Sequence, residues 1–307
     1  MHFLVVGPGA MGSLFAACLQ KAGFDVTLLD YIKDRAKKIN DHGIQVEGVS
    51  GDYNVKVPTT TGDIPQPPDL VLICVKAYDT REAGLNIEPW LKPETGVVTL
   101  QNGVGNLEIL EEIFGKDRVL GGVTAEGATL LGPGKIRHAG RGETIIGPSG
   151  DSGSLAERMV TAFNEAGFLT RSVEDVKDLI WGKLLINVGI NALTAITRLK
   201  NGRLPELEGT RLIMEEAVKE AVAIAEAKHI NLPYPDPLGR VIEVCRATAG
   251  NIASMLQDVL KEKLTEIDFI NGAIVREGQA LGISTPVNFT LTSLVQVIQK
   301  TYPERAV

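Results

Sequence analysis

The chain is poor in the residues that build metal or disulfide frameworks: its 307 residues hold three cysteines and four histidines. Cys18, Cys74 and Cys245 are widely spaced, odd in number and each set in an apolar stretch, so neither a disulfide scaffold nor a zinc cluster is expected. A reducing, cytoplasmic compartment fits that usage. Positive charge is not in excess either. The formal net charge is -7 and the pI about 5.3, which leaves no basic field for nucleic acid or an anionic membrane surface. No apolar run is expected to reach membrane-spanning length, and the start of the chain, Met1 into Phe3-Leu4-Val5-Val6, lacks the pattern of a secretory leader. Internal repeats and low-complexity tracts are missing as well.

What is present is an ordinary globular composition, 44% hydrophobic and 22% charged, in a chain long enough for two domains. Up to about Ser172, short β-branched runs alternate with longer amphipathic segments, the pattern of βαβ units around a parallel sheet. Strands are predicted at His2 to Val6, Asp25 to Leu29, Leu70 to Val75, Val97 to Leu100 and Val119 to Thr124. Two alternating pieces, Ile44 to Glu47 and Tyr53 to Val57, read as an excursion at a sheet edge. Leu130 to Ile136 with Glu143 to Ile146 read as a second hairpin. After Ser172 helical patterns take over, including Val173 to Thr197, Glu206 to His229, Leu238 to Val259 and Glu266 to Leu281. The expected organisation is an α/β domain over residues 1–170 and an all-helical domain over 171–307, abutting with a cleft between them.

The strongest local signal is Gly7-Pro8-Gly9-Ala10-Met11-Gly12, which follows the first strand directly and opens a helix. A first glycine permits the tight turn, a second lets a pyrophosphate approach the backbone, and a third lets helix and strand pack closely. The helix N-terminus then offers free N–H groups and a positive dipole end to the anion. A Rossmann-type dinucleotide-binding domain is therefore expected. Asp30 closes the second strand, where a carboxylate accepts hydrogen bonds from ribose hydroxyls and favours NAD; a 2′-phosphate there needs a cation, for which Lys33, Arg35 and Lys76 are candidates. Asp30 could instead simply cap the next helix. Lys76 and Asn102-Gly103 follow later strands on the same carboxyl edge, with a solvated strand end and a plain turn as their duller readings.

In the helical half, Lys183, Asn187 and Asn191 recur at steps of four in an otherwise apolar helix and so share one face. Buried amides without partners cost about 1–3 kcal/mol each, so the stripe either satisfies neighbouring loops or lines a polar pocket. A lysine whose pKa is lowered by partial burial makes a usable proton donor.

The glycine turn, Lys76, Asn102-Gly103, the stretch Lys183-x3-Asn187-x3-Asn191-Ala192-Leu193-Thr194-Ala195, Ser254-Met255-Leu256-Gln257-Asp258 and Thr265-Glu266-Ile267-Asp268 together resemble the ketopantoate reductase (2-dehydropantoate 2-reductase) family, across nearly the whole chain. The resemblance implies reduction of ketopantoate to pantoate with NADPH, on the route to pantothenate and coenzyme A, by a Rossmann domain and a helical domain. It implies Lys183 as general acid and Glu266 as the glutamate that contacts the lysine or the bound ligands, cofactor included. Asn102, Asn187, Asn191 and Asn201 would bind substrate, with Asn251 and Ser254 on its carboxylate and hydroxyl. Asn102 and Ala128 would face the nicotinamide. Separately, a homodimer through the helical domain is expected, although no exposed stripe in the sequence demands it. Many members carry an arginine just after the second strand, whereas Asp30-Tyr31-Ile32 stands here, so NADP is placed first and NAD stays open. Asn201-Gly202 also reads as a turn, and Ser254-x-x-Gln257 as a capping box.

Twelve helical steps from Ser254 to Glu266 would separate them by about 18 Å, too far to share a small acid. The helix is therefore predicted to break over Lys261-Glu262-Lys263, with Glu266 in the first turn of the next helix. Rival readings are a related dehydrogenase for another small 2-oxo or 3-hydroxy acid, and a noncatalytic dinucleotide-binding sensor.

Overall fold

His2–Val6 is buried along its whole length because it lies between two parallel neighbours, which is why it reads as an unbroken apolar run. This strand, β1, opens the first of two units into which the computed structural model divides the chain: Met1–Gln101 with Asn106–Val176, and Asn102–Gly105 with Lys177–Val307. The structure describes residues 1–148 and 153–304.

In the first unit β1 is followed by α1 (Ala10–Lys21), β2 (Asp25–Leu29), α2 (Lys33–His42), β3 (Ile44–Gly48), β4 (Tyr53–Val55), β5 (Thr59–Thr60), β6 (Leu70–Ile73), α3 (Thr80–Ile87) and β7 (Gly96–Thr99). Then come α4 (Asn106–Phe114), β8 (Val119–Thr124), β9 (Gly127–Gly132), β10 (Lys135–Gly140), β11 (Thr144–Pro148), α5 (Gly153–Glu165) and β12 (Thr170–Ser172). Eight strands form the main sheet in the order β12-β11-β8-β7-β6-β1-β2-β5, parallel throughout except between β8 and β11. The chain moves outward from β1 to β2 and then returns across β1 to β6. The order thus reverses at the carboxyl end of β1, the switch point where open α/β sheets bind ligands.

Two expectations about the remaining strands fail. The 44–57 excursion is not at the edge of the main sheet: β3 and β4 join β10 and β9 in a separate four-stranded sheet, order β4-β3-β10-β9. Leu130–Ile136 is not one arm of a hairpin with 143–146 but straddles the turn between β9 and β10, while β11 pairs antiparallel with β8 in the main sheet. The reason lies in α1, which buries every residue from Gly12 to Leu19 and so needs cover on both sides. The main sheet supplies one side through β1 and β2, and the small sheet the other through β9, β10 and β3. Periodicity shows that a segment is a strand but not which sheet recruits it.

The second unit contains α6 (Lys177–Thr197), α7 (Glu208–Ala227), α8 (Pro237–Ala247), α9 (Ser254–Leu260), α10 (Asn271–Leu281) and α11 (Pro286–Lys300). α6 packs against α7, α8, α9 and α11 and is the axis of this core. It is 21 residues long and an 18-residue window of it has a mean hydropathy of 1.5, so by length and composition it could cross a membrane, against the expectation that no segment would. The apolar surround is explained by packing, since 67% of the relevant window is buried within the protein. The predicted helix Leu238 to Val259 is two helices. α8 stops at Ala247, and the freed loop accepts hydrogen bonds from the segment after α6: Asn201 N–H to Asn251 O at 3.2 Å and Gly202 N–H to Ala249 O at 3.3 Å.

Candidate functional site

At the carboxyl end of β1 the three glycines of the turn answer to three different constraints. Gly7 adopts φ +101°, a region closed to most side chains, and donates its N–H to Leu29 O at 3.0 Å. A Cβ on Gly12 would fall 2.0 Å from Gly7 O, so the helix can leave the strand this closely only as glycine. Gly9 is different. A Cβ there would meet nothing nearer than Cys74 O at 3.9 Å, so packing within the protein does not require its small size. Gly9 also caps α1 without any side-chain hydrogen bond to the first turn. An open backbone approach and uncapped N–H groups are what a pyrophosphate needs, so the turn fits a dinucleotide.

The structure brings the ends of β2 and β6 to either side of this turn. Gly7 is bonded to Leu29, next to Asp30, and its missing Cβ would sit 2.9 Å from Val75 N, next to Lys76. Asp30 is buried and bound on both oxygens: Arg35 Nε reaches Oδ2 at 2.6 Å, Arg35 Nη2 reaches Oδ1 at 2.5 Å, and Ile32 N–H donates to Oδ1 at 2.9 Å. It does not cap α2, whose N-cap is Ile32. Lys76 is half-buried at the start of a short 3-10 turn. The loop beside it is pinned by Gln101, whose amide donates to Val75 O at 2.8 Å and Thr80 Oγ1 at 2.9 Å; nothing in the sequence pattern singled Gln101 out. Ala128 lies elsewhere in this unit, half-buried on β9 and paired with His138 of the small sheet.

In the helical unit, Lys183, Asn187 and Asn191 ride on α6 as expected. Lys183 is half-buried, and burial pulls its ammonium pKa down to about 8, with the negative charge of Glu266 pulling the other way. The amide nitrogens of Asn187 and Asn191 are buried without a hydrogen-bond partner, as is the amide oxygen of Asn201. Three orphaned polar atoms are costly in a core and fit a site completed by a polar ligand. Asn201 is held against the 248–251 loop by its Nδ2 donating to Thr248 Oγ1 at 2.9 Å, and a Cβ on Gly202 would come within 2.5 Å of Ala249 Cβ. That contact brings Asn201 beside Asn251. Ser254 is the first residue of α9, exposed, and forms no capping box: Gln257 turns its amide to Ile252 O at 2.9 Å instead.

The break between Ser254 and Glu266 is present, but Glu266 is not in the first turn of the following helix. It precedes a 3-10 turn, Ile267–Phe269, which itself precedes α10. The dipole of α10 is therefore not what acts on this buried carboxylate. α11 fixes the turn instead: Gln299 Oε1 accepts from Thr265 N at 3.0 Å and Oγ1 at 2.8 Å, and Gln296 donates to Asp268 Oδ1 at 2.7 Å. The 102–105 loop belongs to the same unit. Val104 N–H donates to Phe269 O at 3.1 Å, and a Cβ on Gly103 would lie 2.3 Å from that oxygen, so Asn102 is anchored by its neighbours to the turn that follows Glu266. Asn271 ties this region to α6 and α11 through its Nδ2, which donates to Val188 O at 3.2 Å and to Asn288 Oδ1 at 2.9 Å. Gln296, Gln299 and Asn271 were not foreseen. A buried Asn at the start of a helix was the available hint for the last.

Comparison with known proteins agrees over both units. The ketopantoate reductase PanE/ApbA model matches residues 3–151, and the C-terminal model of the same family matches residues 175–299. A 2-dehydropantoate 2-reductase of Pyrococcus horikoshii is 37% identical over 300 residues, covering 96% of this chain and 97% of that one. A solved PanE/ApbA family ketopantoate reductase from Ralstonia eutropha is 35% identical, with a TM-score of 0.89 over 98% of this chain and 99% of that one. D-mandelate dehydrogenase, solved with NADH and anilino(oxo)acetate, is 28% identical with a TM-score of 0.91 over the same shares.

Proposed function

The chain belongs to the ketopantoate reductase family, and from that premise we propose that it reduces 2-dehydropantoate, a small 2-oxo acid, to pantoate with NADPH, on the route to pantothenate and coenzyme A. The observation that carries the reading is the face of α6, where a lysine poised near neutral pH stands in line with two buried, unsatisfied amides.

Gly7, Pro8, Gly9, Ala10, Met11 and Gly12 hold the pyrophosphate, with Asp30 at the ribose and Lys76, Asn102, Ala128 and Glu266 completing the cofactor's surroundings. When bound, the reduced cofactor supplies a hydride to the ketone carbon. Lys183 gives its proton to the carbonyl oxygen, so the carbonyl gains one hydride and one proton and becomes the alcohol. Glu266 keeps that proton on Lys183 at neutral pH by raising a pKa that burial lowers. Asn102, Asn187 and Asn191 position the substrate, with Asn201, Asn251 and Ser254 on its hydroxyl and carboxylate. NADPH is placed before NADH because Arg35 already neutralises Asp30, and the guanidinium N–H groups not spent on Asp30 remain to donate to a 2′-phosphate.

The test is direct. Protein mixed with 2-dehydropantoate and NADPH should deplete reduced-nicotinamide absorbance; no oxidation of NADPH or NADH would sink the proposal. A second reading, a dehydrogenase for another 2-hydroxy acid, is favoured by the D-mandelate dehydrogenase likeness, and faster turnover of D-mandelate than of pantoate in the oxidative direction would select it.

A further inference from the structure

At the far end of α1, about 18 Å along the helix from the glycine turn, the first unit holds a partly open cavity of about 270 Å³. It is lined by Cys18 and Lys21 of α1, Ser50 and Tyr53 of the β3–β4 hairpin, and His138 and Arg141 at the end of β10. None of these residues is among those assigned above to the dinucleotide or the keto acid.

The lining has the marks of a built site. His138 is 3% exposed, and its Nε2 lies 2.6 Å from Glu126 Oε2. Glu126 also accepts from Gly142 N–H at 3.3 Å, so the carboxylate is held in place. Nδ1 is buried with no partner, and in the neutral ring with Nε2 donating to that carboxylate it is an acceptor. Lys21 is held at the cavity by the Tyr53 ring, with Nζ 3.8 Å from the centroid, and among the described residues neither Lys21 nor Arg141 forms an ion pair. Lys21 and Arg141 face Glu126 behind His138, the exposed Glu165 on the rim and the roughly half charge of the α1 C-terminus, so an acidic group is drawn by the two unpaired cations locally and not by a net positive charge of the cavity. The volume equals the liquid share of about nine waters, enough for a molecule of similar heavy-atom count.

We propose that this cavity binds a small hydroxylated oxyanion, a hydroxy carboxylate or a phosphate monoester. Its anionic group pairs with Arg141 and Lys21, and its hydroxyl donates to His138 Nδ1. The test uses the enzyme saturated with NADPH, so that the dinucleotide turn is filled, titrated calorimetrically with glycerate in one arm and glycerol 3-phosphate in the other. The expected result is one saturable site for at least one probe, weakened about tenfold or more in Arg141→Ala and in His138→Phe, while Arg141→Ala keeps the wild-type kcat and KM for keto-acid reduction. The tighter probe identifies the acidic group. Absence of saturable binding of either probe up to about 10 mM, or binding unchanged in Arg141→Ala, overturns the proposal.

Discussion

The two units build their sites from different materials. In the α/β unit the phosphate turn is backbone: one glycine is demanded by φ, one by a 2.0 Å approach to a carbonyl, and one by nothing in the protein. In the helical unit the proposed site draws on side chains from segments far apart in sequence, 183–191, 201, 251–254 and 266, with the 102–105 loop added. A backbone site leaves a local, contiguous signature because glycine is the direct solution to each constraint. A side-chain site leaves only polar residues in apolar surroundings.

That contrast can be broken at its strongest point first. Lys183→Ala should lower kcat for reduction by about 10²–10⁴-fold while leaving NADPH affinity, measured by fluorescence titration, within about twofold. Equal losses in both would merge the two sites into one. The glycines should separate next. Gly9→Ala should weaken NADPH binding about tenfold with a melting temperature within roughly 1 °C of wild type, whereas Gly12→Ala should cost about 1–3 kcal/mol of stability through its clash with Gly7 O. If Gly9→Ala unfolds the protein as readily, the open side of the turn has a structural purpose. Arg35→Gln should lower the ratio of kcat/KM for NADPH over NADH about tenfold, and an unchanged ratio would remove Arg35 from the 2′-phosphate. Smallest of all, Gln299→Ala should reduce kcat a few-fold, roughly the 1 kcal/mol of a hydrogen bond, by loosening the segment that carries Glu266.

The same contrast explains how much was legible beforehand. The main-sheet strands and the turn were readable because burial between parallel neighbours and phosphate contact act on adjacent residues. The stripe of Lys183, Asn187 and Asn191 was readable from helical spacing alone. The small sheet was not, because its recruitment depends on the need of α1 for a second cover. The helix break at 248–253 was missed because its carbonyls are spent on Asn201 and Gly202, some fifty residues earlier. Glu266 was placed correctly beyond a break but wrongly inside a helical turn, since the side chains that fix its turn come from α11. Arg35 was noted as a cation, yet only the fold shows it clasping Asp30.

The central claim is that Lys183 is the acid of the reduction, and the pH dependence of kcat/KM tests it most directly. A general acid must be protonated, so with its pKa at about 8 the reduction should be level below that value and fall about tenfold per pH unit above it. Glu266→Gln removes the charge that raises this pKa and should move the break to lower pH. A profile that stays flat from about pH 6 to about pH 10, or a break that persists unchanged in Lys183→Met, would contradict it.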